Sequence, residues 1–121
     1  MSNFNKALDW LENHVEEAAK GLDAIVEKMY SELRDVPDRM AMTRLLQREG
    51  KKHIAELVKE LSLNHKVVVY HEKALERIGV LSSELDNAPD GYPAVLVRYV
   101  AITSLGERML KYLETEEEED V

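Results

Sequence analysis

Between Asn64 and Gly79 the chain reads HKVVVYHEKALERI, and the residue types in this run could do recognition chemistry if the segment is a helix. Advancing about 100 degrees per residue from Val67, the side chains of Val68, His71, Leu75 and Ile78 fall within about 80 degrees of one another. Lys66, Val69, Tyr70, Lys73 and Arg77 gather on the opposite side. Three cations, a phenol and a small apolar side chain on one face suit a polyanionic groove: Lys66, Lys73 and Arg77 for phosphates or guanine edges, Tyr70 for phosphate or sugar, Val69 for a thymine methyl. Asn64 and His65 lie at the positive N-terminal end, where phosphate or a base edge is also favoured. Taken alone, the same face reads as a solvated one whose cations offset Glu72 and Glu76. The neighbouring elements therefore decide what it is for.

Those elements are legible in order. From Phe4 through Leu8, Leu11, Val15, Ala18, Leu22, Ile25 and Met29 to Leu33, apolar residues recur at spacings of four and three, the seam of a coiled coil, with Ser2 or Asn3 as N-cap. Trp10, His14 and Gly21 project away from that seam, either toward a second helix of a subunit partner or, for Trp10, onto its own helical neighbours. The segment from Asp35 to Asp38 ends this helix and caps a second, from about Arg39 to Glu49, which stops at Gly50. Lys51, Lys52 and His53 form a short link to a third helix, Ile54 to Leu61. Ser62 and Leu63 break the pattern, and Asn64 caps the helix that closes at Gly79. Val80 to Leu85 then reads as extended. The next eight residues, from Asp86 to Pro93, hold two prolines and a glycine and read as a turn. Val95 to Thr103 is rich in β-branched residues, as a returning strand should be. Ser104 and Glu107 fit a capping box for a last helix carrying Leu105, Met109, Leu110, Tyr112 and Leu113. The fold class is mostly α with a small β-hairpin, α+β overall.

The order helix, link, helix, turn, helix, hairpin, helix is that of a winged helix-turn-helix. The residues REGKKHIAELVKELSLNHKVVVYHEKALERIGVLSSEL, followed after the turn by VRYVAITSLGERML, resemble the winged-helix transcriptional regulators of the MarR and ArsR type, and among them the small archaeal single-domain regulators. The resemblance covers roughly residues 38 to 113. It implies a homodimer built by the long N-terminal helix and the short C-terminal one, binding double-stranded DNA with helix 65–78 in the major groove. The organisation that follows is a dimerisation helix at 1–36, the winged helix-turn-helix at 37–104, a C-terminal helix at 105–114 and an acidic tail at 115–121. Beside helix 65–78 the contact set includes Lys51, Lys52 and, as the cation nearest the wing tip, Arg98. Wings of this family commonly bring Arg or Lys to the tip for the minor groove; here the tip has Asp86 and Asp90 and no base. Glu72 stands where the family places an apolar residue, and its carboxylate is expected to reach the rim. A cavity between the long helix and the winged domain could take a small-molecule effector, though no residue set points to one.

Composition limits the alternatives. The 121 residues hold 24 acids and 16 bases, a net charge of −8, with no cysteine. Thiolate zinc sites, disulfides and thiol redox switches are therefore excluded. Six of the acids lie in the final octet, ETEEEEDV; without them 18 acids face the same 16 bases, a body of charge −2. That terminus reads as a solvated, frayed end. His14, His53 and His71 show no ligand spacing, so neither metal nor cofactor is expected, and His71 reads as a core histidine bonded to backbone. No nucleophile–base pair or phosphate loop suggests an enzyme. No stretch reaches the roughly 20 apolar residues of a membrane span, and no leader pattern opens the chain, so a soluble cytoplasmic protein is expected. The rival function is a winged-helix protein-interaction module, its acidic wing and tail docking a basic partner without reading DNA.

Overall fold

The computed structural model describes the chain from Asn3 to Glu119; the side chains of residues 3, 4, 8, 11–13, 15–20 and 117–119 lie outside that description. So do the cap expected at Ser2 and the seam side chains Phe4, Leu8, Leu11, Val15 and Ala18. The order of elements is α1 (Asn3–Arg34), α2 (Pro37–Glu49), β1 (Lys52–His53), α3 (Ile54–Leu61), α4 (His65–Arg77), β2 (Leu81–Asn87), β3 (Leu96–Ile102) and α5 (Ser104–Glu119). The chain divides into two compact units, residues 1–31 and 32–121.

The first unit is helical throughout its described part. Trp10 stacks on His14 one turn later, ring centroids 4.4 Å apart, while the His14 ring bonds the Trp10 carbonyl at 2.6 Å. Trp10 is thus covered partly by its own helix. The seam residues Leu22 and Ile25, with Val26 beside them, are exposed in the single chain.

In the second unit each boundary has a local cause. Val36 is extended ahead of Pro37, which opens α2 with a φ already suited to a helix. Gly50 ends α2 at φ +86°, a conformation that costs a side chain-bearing residue far more. Val58 and Leu63 close the turn after α3 through a backbone bond of 3.3 Å, with Ser62 in the left-handed region. The Asn64 side chain accepts from the Val67 amide at 2.9 Å and caps α4. Gly79, at φ +83°, lets the Val80 amide turn back to the Leu75 carbonyl.

The sheet is antiparallel in the order β1-β3-β2. Leu81 pairs with Ile102 and Asn87 with Leu96, so β2 runs two residues past the limit expected at Leu85 and the turn is correspondingly shorter. The link at Lys52 and His53 is itself a strand, paired with Val100 and Tyr99. A two-residue strand has too short a pattern to be read without its partner. The core beneath is formed by Leu33, Met42, Leu46, Leu57, Val68, Leu75, Val80, Val100 and Leu110.

At α5 the cap is Thr103, not Ser104: its hydroxyl accepts from the Gly106 amide at 3.0 Å and donates to the Gly79 carbonyl. Gly106 presses on the Val80 carbonyl oxygen, where a Cβ would overlap it. The helix continues through Glu119, well beyond the Leu113 at which its apolar pattern ends. Among the described residues no helix is long and apolar enough to cross a membrane.

Candidate nucleic-acid interface

Helix α4 has the two faces that its sequence predicts. Val68 and Leu75 are buried to 0% exposure, and Lys66, Lys73 and Arg77 are exposed. Tyr70 is 61% exposed; Val69 beside it is half-buried, with only part of its surface toward solvent. Asn64 and His65 are exposed at the helix start, with the Asn64 oxygen occupied by its cap bond. Tyr70, Lys73, Glu76 and Arg77 line a shallow open concavity on the outer side of α4.

Tyr70 is not held by α4 alone. The Arg39 guanidinium lies 5.7 Å from the centre of its ring. That arginine is buried, donates from Nε to His71 Nδ1 at 3.1 Å, and pairs with Glu32 at 2.6 Å. His71 thus bonds a side chain, not the backbone expected for it. Burial first, and then the Arg39 charge, hold its imidazole below the ordinary range, against the attraction of Asp38. Arg39 is a residue that the sequence did not single out. It lies 32 residues from His71, and no local spacing joins them.

Three of the cations assigned to the contact set have different surroundings. Lys51 is half-exposed, 5.2 Å from the Tyr99 ring centre and 3.8 Å from Glu84. Lys52 is turned inward: its side chain is 10% exposed and lies 3.2 Å from Glu60, 3.4 Å from Glu49 and 4.0 Å from Glu56. Hydrogen bonds that it donates to Glu60 and then Glu49 outweigh desolvation and hold its ammonium above the ordinary range. Arg98 also faces inward, donating from Nη1 to Glu72 at 2.8 Å, to Glu76 at 3.3 Å and to Ser83 at 3.4 Å. Lys52 and Arg98, expected as contact residues, are engaged by carboxylates of the protein's own fold.

Glu72 likewise departs from expectation. Its carboxylate does not reach the rim but is 0% exposed. The reason is Arg98, which meets it inside. Burial, together with a hydrogen bond to Glu76, outweighs Arg98 and pushes the Glu72 carboxyl up to about 7.

The α3–turn–α4 pair, the β2–β3 wing and the core between them define a winged helix-turn-helix fold. No protein-family model matches the sequence, and no curated protein does. Solved structures do. A transcriptional regulator homologue protein from Pyrococcus horikoshii OT3 is 23% identical, with a TM-score of 0.59 over 79% of this chain and 95% of that one. The adhesin competence repressor AdcR from Streptococcus pyogenes is 19% identical, with a TM-score of 0.51 over 98% of this chain and 76% of its own. Overoxidized AbfR bound to DNA is 13% identical, with a TM-score of 0.59 over 97% and 85%. At these identities the likeness is one of fold.

Proposed function

We propose that the protein is a homodimeric transcriptional regulator that reads double-stranded DNA with α4 in the major groove. The observation that carries this reading is the outer face of α4, where Lys66, Tyr70, Lys73 and Arg77 are exposed opposite buried Val68 and Leu75. A helix with such a face fits a groove about 12 Å wide. Asn64 and His65 serve phosphate or base contact at its N-terminus, Val69 touches a thymine methyl with its accessible edge, and Lys51 approaches the backbone beside the helix. Lys52 and Arg98 contribute to the scaffold instead.

The exposed Leu22, Ile25 and Val26 of α1 support a helix that buries its apolar seam against a second copy. Residues 1–36 and 105–114 form the dimerising parts around the 37–104 winged helix. Two α4 helices would then meet half-sites about 34 Å apart, on a pseudo-palindrome. A fluorescence anisotropy titration of duplex DNA across a salt series tests the reading. Affinity that falls steeply with salt supports it; no binding at low salt overturns it and favours a wing that docks basic proteins, for which the exposed acids Glu84, Asp86 and Asp90 speak.

A further inference from the structure

Behind the outer face of α4 lies a cluster that major-groove recognition does not use. Glu72 Oε2 accepts from Arg98 at 2.8 Å, while Glu72 Oε1 is buried and, among the described residues, accepts from no ionised or amide donor. One turn further on, Glu76 accepts from Ser83 Oγ at 2.7 Å and from Arg98 at 3.3 Å. The wing is therefore fastened to α4 at two of its strands, Ser83 on β2 and Arg98 on β3. Two carboxylates share one guanidinium, and one of their oxygens is orphaned.

We propose that Glu72, Glu76 and Arg98 form a proton-linked latch between α4 and the wing, closed when the two carboxyls hold one proton and loosened when both are ionised. With the proton present, the Glu72 hydroxyl can donate to the Glu76 carboxylate while Arg98 bonds both residues. The cluster is then neutral, with a carboxyl–carboxylate bond of the kind that favours single ionisation. Without the proton, two negative charges repel each other across one positive charge and a buried carboxylate oxygen has no donor. Water can reach that oxygen only if α4 and the wing part.

Of the charged groups on the neighbouring elements, those of α2 and α3 have partners elsewhere. On α4, Lys73 adds its attraction to Glu76. From α2, Arg39 and Asp38 gather round His71. On α3, Glu56 and Glu60 hold Lys52 of β1. From β2 the facing group is the Ser83 hydroxyl, which does not titrate, and from β3 it is Arg98.

Glu72 titrates near 7 in the fold, above its ordinary 4.5. A raised value means that the stabilisation from the retained proton is complete below 4.5 and disappears as the pH rises through about 7. The consequence for DNA rests on the reading of α4 given above: an added negative charge behind the helix, and a looser wing, weaken binding on the alkaline side.

The test uses the full chain and Glu72→Gln, whose amide can donate to Glu76 and accept from Arg98 as the protonated acid does. Melting temperatures are compared across the pH range, the difference between the two proteins cancelling every other titration. The two should coincide near pH 4, with the variant melting about 5 °C higher near pH 8. Carbon-detected NMR of wild-type Glu72 should show a carboxyl midpoint near 7, shifted further up in Arg98→Met. A pH-independent difference in melting, or a midpoint at the ordinary glutamate value, overturns the latch. Anisotropy with a mixed-sequence duplex of about three helical turns forms the second arm, in which wild-type affinity should drop several-fold more than the variant's from near pH 6 to near pH 8. If both bind with the same pH dependence, the latch does not set the posture of α4. If neither binds at any pH while the melting curves diverge as expected, the latch stands and DNA reading by α4 fails.

Discussion

Helix α4 and the wing present opposite charge to solvent. On α4 the cations Lys66, Lys73 and Arg77 point outward, and the acids Glu72 and Glu76 are drawn toward the wing. On the wing Glu84, Asp86 and Asp90 are exposed, and the cation Arg98 is drawn toward α4. The hairpin register explains this arrangement. Arg98 stands opposite Leu85, two residues along the strand from the Ser83–Val100 pair, and alternate residues share a face. Ser83 bonds Glu76, so this is the face turned to the helix. The same carboxylates that anchor the wing remove its cation from the surface. What the difference teaches is that attraction for a polyanion is concentrated on one element, while the wing has become a brace.

Removing the attractive side should have the strongest consequence. Replacing Lys66, Lys73 and Arg77 together by Ala should weaken duplex binding at least about a hundredfold at moderate salt and lower the slope of log affinity against log salt by about 2.7 per protomer, about 5.4 for a bound dimer, while leaving the fold intact by circular dichroism. An unchanged slope would show that α4 does not face the phosphates. Removing the brace comes next: Arg98→Met leaves Glu72 buried without its cation and should cost about 2 kcal/mol in urea unfolding, limited because Glu72 can take up a proton instead. Its salt slope for DNA should match the wild type, since Arg98 is engaged by Glu72 and Glu76; a slope reduced by one contact per protomer would return Arg98 to the DNA.

Reversing the wing's charge is a milder change. Asp86→Lys with Asp90→Lys should tighten DNA binding by about tenfold at low salt, an effect that vanishes at high salt. No change at either salt would mean that the wing tip stays clear of the duplex. The smallest effect belongs to the start of α4, where Asn64→Ala removes the cap and should cost about 1 kcal/mol in thermal or urea unfolding.

Much of this was legible in the sequence because it is written at short range. The stop of α2 at Gly50, the Asn64 cap and the closure at Gly79 each depend on residues within a turn or two. So does the division of α4 into Val68 and Leu75 inside, Lys66 and Arg77 outside. The features that were not legible join distant residues. The two-residue strand at Lys52 exists because β3 passes beside it. Thr103 outcompetes Ser104 as a cap because its hydroxyl also reaches Gly79, 24 residues earlier.

The charged residues draw the line most sharply. Sequence determines that Lys52, Arg98, Lys66 and Arg77 all carry the same charge, and helical period separates one face of α4 from the other. It does not say which charges find opposite partners. Lys52 meets Glu60 eight residues away, and Arg98 meets Glu72 across 26. A side chain's facing within one helix follows from the geometry of 3.6 residues per turn. Whether a cation is spent inside or offered outside depends on which strand the chain brings back to it, and only the folded arrangement fixes that.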